Sequence, residues 1–140
     1  MASSNAIARV REFMTVCPHT IARGESLAEA RSRMIEIHAR HLPVVHDGRL
    51  VGIVSDRDVE LCESLLIDAP HRAPPTVAEA MTEMLFTCGP DAHLHAVADE
   101  MARHKYGSAV IVDPEHPLKI LGVFTTTDAL RALAQYAPQE

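Results

Sequence analysis

Two short stretches hold the groups best suited to binding chemistry. Gly122-Val123-Phe124-Thr125-Thr126-Thr127-Asp128 sets three hydroxyls and a carboxylate in a row, and Gly52-Ile53-Val54-Ser55-Asp56-Arg57-Asp58 repeats its glycine, two apolar residues, hydroxyl and final aspartate at the same spacing. Each follows an apolar run and precedes a helical pattern, so each reads as the junction between a buried strand and a helix. Unpaired backbone N–H groups and the positive end of the helix dipole meet at such a junction, which suits a phosphate or another anion. The residues also have a purely structural use. Ser55-x-x-Asp58 and Thr125-x-x-Asp128 are helix-capping patterns, contributing about 1 kcal/mol each, and capping is compatible with ligand binding.

The elements that must hold these stretches recur with them. Adding 67 to a residue number in the first half takes Met14 to Met81, Thr15 to Thr82, Thr20 to Thr87, Met34 to Met101 and Val45 to Val112. Beyond Val45 the offset is 70, which brings Gly52 onto Gly122 and Asp58 onto Asp128; three extra residues near Pro114 to Pro117 account for the change. A hairpin loop accommodates such an insertion at least cost. In the first copy a short lead-in over Val10 to Thr15 precedes an extended segment at Thr20 to Ala22. Ser26 with Glu29 forms a capping-box pattern opening a helix with Leu27, Ala30, Met34 and Ile37 on one face. Leu42 to Val45 and Leu50 to Val54 are strands joined by an Asp47-Gly48 turn, and a helix runs from Asp56 to about Leu66.

The second copy repeats the order, with strands at Ser108 to Val112 and Ile120 to Phe124 and a last helix from Asp128 to about Gln135. The expected fold is α+β, two pseudo-symmetric repeats of strand, helix, strand, strand and helix packed sheet to sheet. Repeat 1 spans 8–66, a proline-bearing linker 67–75 and repeat 2 76–136. At about 60 residues neither repeat is expected to be stable alone.

Composition narrows the function. The chain has 140 residues, 47% hydrophobic and 4% aromatic, with a formal net charge of -6 and no long basic cluster, which argues against nonspecific nucleic-acid binding. No apolar run approaches a membrane span and the N-terminus lacks a signal-peptide core, so the expected location is the cytoplasm, without membrane association. Cys17, Cys62 and Cys88 fit buried free thiols better than a disulfide framework or zinc site. Nine histidines include the pairs His38/His41 and His93/His95, yet none has the spacing of a recognised metal site. Met14, Met34, Met81 and Met101 recur at the repeat offset and read as core. No nucleophile elbow, P-loop or enforced Cys/His pair is present; no catalytic residue, metal or cofactor is expected.

The duplicated Gly-apolar-x-Ser/Thr-x-x-Asp ending, together with Met14-Thr15 and Leu42-Pro43-Val44-Val45, resembles a tandem of cystathionine beta-synthase (CBS) domains, the Bateman module. The resemblance covers nearly the whole chain. It implies a regulatory, non-enzymatic sensor of an adenosine-containing ligand such as AMP, ADP, ATP or S-adenosylmethionine, held in clefts between the repeats. The family pattern Gly-apolar-x-Ser/Thr-x-Ser/Thr-Asp is complete at Gly122 to Asp128; in the other copy Arg57 replaces a hydroxyl. By resemblance Asp128 and Asp58 accept the ribose hydroxyls, with Thr125, Thr127 and Ser55 nearby. The Asp128 cleft would borrow Thr15, Pro18, Thr20, Ala39, Arg40 and His41, and the Asp58 cleft Thr82, Leu85, Thr87, Tyr106, Gly107 and Ser108.

One ionised carboxylate can accept both hydroxyls of a ribose in charge-assisted bonds. Asp56-Arg57-Asp58 offers a guanidinium to phosphate but adds a repelling carboxylate, so the Asp128 cleft is expected to bind more tightly, with Arg40 or His41 meeting the phosphate. The resemblance further implies a stand-alone module acting as a homodimer through its apolar helices and signalling to a protein effector. The alternative is a structural dimerisation or docking module with unoccupied clefts.

Overall fold

The computed structural model describes residues 7–16, 19–69 and 71–136. The chain divides into two compact units: His19–Leu85, and the described residues before it together with those from Phe86 onward. They are called here the Asp58 unit and the Asp128 unit.

The Asp58 unit carries a three-stranded sheet of order β2-β3-β4, formed by Ile21–Ala22, His41–His46 and Arg49–Ser55. β2 runs parallel to β3, and β3 antiparallel to β4. The Asp47-Gly48 hairpin works as its sequence promises, with both residues at positive φ, 52° and 76°, the geometry that matches strand twist in a two-residue turn. Helix α1 (Leu27–Glu36) starts at Ser26, whose Oγ accepts from the Glu29 N–H at 3.0 Å. The expected capping box is made in that half only, because the Glu29 carboxylate accepts from Arg33 Nε at 3.0 Å one turn on. Helix α2 is Asp56–Leu65. Leu27, Ala30 and Met34 of α1 and Val59 of α2 close over Ile21, Leu42, Val44 and Val54 to make the core.

An element that the pattern does not announce, the short helix α3 (Val77–Ala80), adds Val77 to that core. Glu79 accepts from the Thr76 N–H at 2.9 Å at its start. Just beyond it Thr82 bridges Ile53, exchanging N–H to O bonds of 2.8 and 3.0 Å.

The Asp128 unit carries a four-stranded sheet of order β1-β7-β6-β5, formed by Thr15–Val16, His116–Thr125, Ser108–Asp113 and Thr87–Cys88. Helices α4 (Leu94–His104) and α5 (Thr126–Tyr136) cover it. Val97, Met101, Ala109, Ile111, Phe124 and Ala132 form the core with Val10 and Phe13 from the N-terminal lead-in. The three extra residues sit at the β6–β7 hairpin, where the Glu115 N–H bonds Asp113 Oδ1 at 2.9 Å; β7 thereby begins four residues before the expected Ile120.

The lead-ins are exchanged. Val10, Phe13 and β1, which precede the first repeat, join the sheet and core of the second, while Val77 and Thr82, which precede the second, join those of the first. The repeating segments of the sequence and the compact units of the fold are therefore cut at different places. Periodicity reveals what is duplicated, and pairing decides what is packed.

Both exchanges run over a glycine. A Cβ on Gly122 would lie 2.5 Å from the Thr15 carbonyl oxygen, and one on Gly52 would lie 2.8 Å from that of Thr82. The glycine that opens each motif is thus what lets the lead-in lie against the strand.

Candidate functional sites

In the Asp128 unit, β7 ends at Thr125 and α5 begins at Thr126. Asp128 turns back on the junction: its Oδ2 accepts from the Thr125 N–H at 2.9 Å and from Thr125 Oγ1 at 3.2 Å. The Asp128 N–H donates to Thr125 Oγ1 at 3.3 Å, completing a reciprocal cap. Oδ1 accepts from Arg131 Nη1 at 3.2 Å, and the Thr15 hydroxyl lies 3.3 and 3.4 Å from Oδ1 and Oδ2. Asp128 is the buried charged residue of the described core, 2% exposed. Gly107 accepts the Thr126 N–H at 3.2 Å and Ser108 pairs with Thr125, so the start of β6 borders the site. Tyr106 is stacked with Phe86 and His104, ring centroids 5.5 and 5.1 Å apart. Thr87 pairs with Val110 and is exposed, as is Thr127.

The Asp58 unit builds the same corner from β4 and α2. Asp58 Oδ2 accepts from the Ser55 N–H at 2.9 Å, and Ser55 Oγ accepts from the Asp58 N–H at 3.0 Å. The Asp56 N–H donates to the Arg40 carbonyl at 2.9 Å and His41 pairs with Ser55, so Arg40 and His41 border this corner. Thr82 reaches Ile53 two residues before Ser55. Thr20 gives its carbonyl to Arg33 Nη1 at 3.0 Å, and Arg57 is exposed. A cavity of about 450 Å³ opens beside the corner, lined by Arg31, Met34, Ile35, His38, Ala39, Arg40, Asp56 and Val59. Arg31 is held by Glu63, which raises its guanidinium pKa.

The structure thus places Thr15, Thr87, Tyr106, Gly107 and Ser108 in the unit of Asp128, and Thr20, Arg40, His41 and Thr82 in the unit of Asp58. Antiparallel pairing of the two long strands in each unit brings Arg40 and His41 beside Ser55, and Gly107 and Ser108 beside Thr125; Thr15, Thr87 and Thr82 are placed by the short pairings with β7, β6 and Ile53. Pro18 and Cys17 lie outside the described residues. Sequence reasoning missed Arg131; its signal was the i,i+3 spacing from Asp128, which places the two on one helical face.

Neither of the described cysteines is an activated thiol. Burial pushes the Cys88 thiol up to about 11 and also raises Cys62, the opposite of what activates a nucleophilic thiol. His93 and His95 stack at 5.9 Å. Among the described residues no group of three His, Cys, Asp or Glu could hold a metal ion, and no helix is long and apolar enough to cross a membrane.

Two copies of one strand–strand–helix corner, each ending in a capped aspartate, define a tandem repeat protein of a known kind. The chain belongs to the CBS domain family, whose model matches residues 10–60 and 77–135, one match for each repeat. Its structural neighbours are CBS pairs. The CBS domain pair of protein MJ0100, in complex with 5′-methylthioadenosine and S-adenosyl-L-methionine, is 25% identical with a TM-score of 0.72, covering 93% of this chain and 98% of that one. CBSX2 of Arabidopsis thaliana in complex with AMP is 25% identical with a TM-score of 0.68, covering 93% and 98%. The CBS domain-containing protein YhcV of Bacillus subtilis is 30% identical over 81% of this chain and 79% of its own length. By contrast, the chain spans about a quarter of the homoserine O-acetyltransferases of Methanosphaera stadtmanae and Methanococcoides burtonii, at 29% and 30% identity.

Proposed function

We propose that this CBS pair is a regulatory sensor of an adenosine-containing ligand, AMP, ADP, ATP or S-adenosylmethionine, and has no catalysis of its own. The observation that carries the reading is the duplicated corner: in each unit an aspartate is fixed by the backbone N–H of a hydroxyl residue three positions earlier, at 2.9 Å in both. An aspartate held this way presents a preorganised acceptor for the adjacent hydroxyls of a ribose, with a helix N-terminus beside it for an anionic group. The ligands named for the MJ0100 and CBSX2 complexes, all adenosine derivatives, support the same class.

The sensor works by population shift, biasing the chain toward one conformation only as far as the ligand's affinity differs between two. Its output passes to a protein effector or to its own homodimer, in the cytoplasm where such ligands circulate. A thermal-shift panel of AMP, ADP, ATP, S-adenosylmethionine and cyclic dinucleotides tests the reading, because a ligand that prefers the folded state raises the melting temperature. At a hundredfold excess over Kd the stabilisation is about 2.7 kcal/mol. No shift with any of them would leave the docking or dimerisation role in its place.

A further inference from the structure

The two corners differ in what remains for a ligand to use. A carboxylate offers about four acceptor positions. At Asp128 four donors converge on them: Arg131 Nη1 and Thr15 Oγ1 on Oδ1, and the Thr125 N–H and Oγ1 on Oδ2. The group is also buried, and its strongest added partner is a charged one. At Asp58, among the described residues, the Ser55 N–H is the donor and it lands on Oδ2. The residue is half-buried. The repeat offset explains the difference. Leu61 stands where the second copy has Arg131, and Leu61 has no hydrogen to give a carboxylate. Thr82, the counterpart of Thr15, donates nothing to Asp58 among the described residues.

From this we infer that Arg131 is a blocking residue: it occupies the Asp128 carboxylate and leaves Asp58 as the corner that receives a vicinal diol. The order is the reverse of the one motif completeness suggests. The hydroxyl that completes the pattern, Thr127, is exposed and adds no donor to Asp128 among the described residues; the donors come from Thr125, and from Thr15 and Arg131 outside the motif, and each of them removes an acceptor position from the ligand. Arg131 itself is well placed for the role. Its side chain is 66% exposed, its ion pair among the described residues is the one to Asp128, and its replacement by the leucine found in the other copy introduces no residue the fold does not already carry there. The Thr15 contact alone is a weaker obstacle, because one hydroxyl hydrogen is shared between two oxygens at 3.3 and 3.4 Å and turns freely.

The inference rests on the adenosine reading above, and calorimetric titration of the full chain with AMP and, in parallel, S-adenosylmethionine separates the two. Wild type is expected to take one equivalent, Asp58→Ala none, and Asp128→Ala still one. Arg131→Leu is expected to take two, and Arg131→Lys to stay at one because a cation still reaches Oδ1. Two equivalents on wild type, loss of the single site in Asp128→Ala but not in Asp58→Ala, or one equivalent on Arg131→Leu would each overturn the blocking role while leaving the adenosine reading intact. No binding of either probe to any of these chains would overturn the adenosine reading and the blocking role with it. A merely structural Arg131 changes melting temperature without changing stoichiometry.

Discussion

Asp58 and Asp128 occupy equivalent places in the repeat, and each is held by the residue three positions before it, so their shared part was legible from spacing alone. What distinguishes them was not. Thr15 lies 113 residues from Asp128 in the chain, and no local pattern links a hydroxyl to a carboxylate at that distance. Cys88 shows the same limit. The odd number and wide spacing of the cysteines suggested buried free thiols, whereas Cys88 is free but only half-buried, packed against the core of its unit. Burial favours the neutral thiol, moving its pKa from 9.0 to about 11. The folded thiolate fraction near pH 8 therefore falls, and because the less acidic thiolate is also the better nucleophile, iodoacetamide should alkylate Cys88 about 10-fold more slowly in the folded chain than in urea. The gap should close as pH rises through 9 toward 11. Mass spectrometry of the Cys88 peptide reads this directly; equal rates at pH 8 would show that the thiol is open to solvent.

At the scale of elements, the four long helices and the first hairpin followed from capping residues, apolar spacing and the Asp47-Gly48 turn, each a local signal, while the short helix α3 did not. The exchange of lead-ins did not follow, because β1 is two residues long and both sheets offer an almost identical edge. Pairing Thr15 with Val123 rather than with its own repeat is a tertiary choice. It explains the motif glycines in physical terms, since any side chain at Gly122 must displace either the strand or the lead-in. Gly122→Ala forces a Cβ to within 2.5 Å of the Thr15 oxygen, a clash with backbone that cannot rotate away. The expected loss is at least about 1–3 kcal/mol, the usual cost of overpacking. Gly24→Ala is the control, with nothing within 4 Å of its Cβ and no positive φ, and should be near neutral. Urea denaturation compares the two, and a Gly122→Ala chain as stable as Gly24→Ala would mean that β1 does not hold this register.

At the scale of the whole molecule, exposed apolar residues are scattered over strands and loops, as at Val16, Ile67, Met84 and Leu118, but two helices carry them in sets. Leu130, Leu133 and Tyr136 of α5 are 65%, 63% and 59% exposed, and Leu61 and Leu65 of α2 are exposed as well. Spacings of three and four put each set on one helical face, and grouped exposure of this kind marks an association surface more often than scattered single residues do. Fully burying one such side chain contributes roughly 1.5–3 kcal/mol, so a few of them from each of two chains suffice to offset part of the entropy of pairing. The expected species at micromolar concentration is a homodimer, twice the 15.3 kDa chain mass by light scattering. Leu130→Glu with Leu133→Glu should return it to the monomer mass with an unchanged far-ultraviolet dichroism spectrum, because both positions face solvent within the chain and a glutamate costs little there but much in an interface. A wild-type chain that scatters as a monomer would remove the dimer from the mechanism, and the sensor would then have to act on its effector as a single chain.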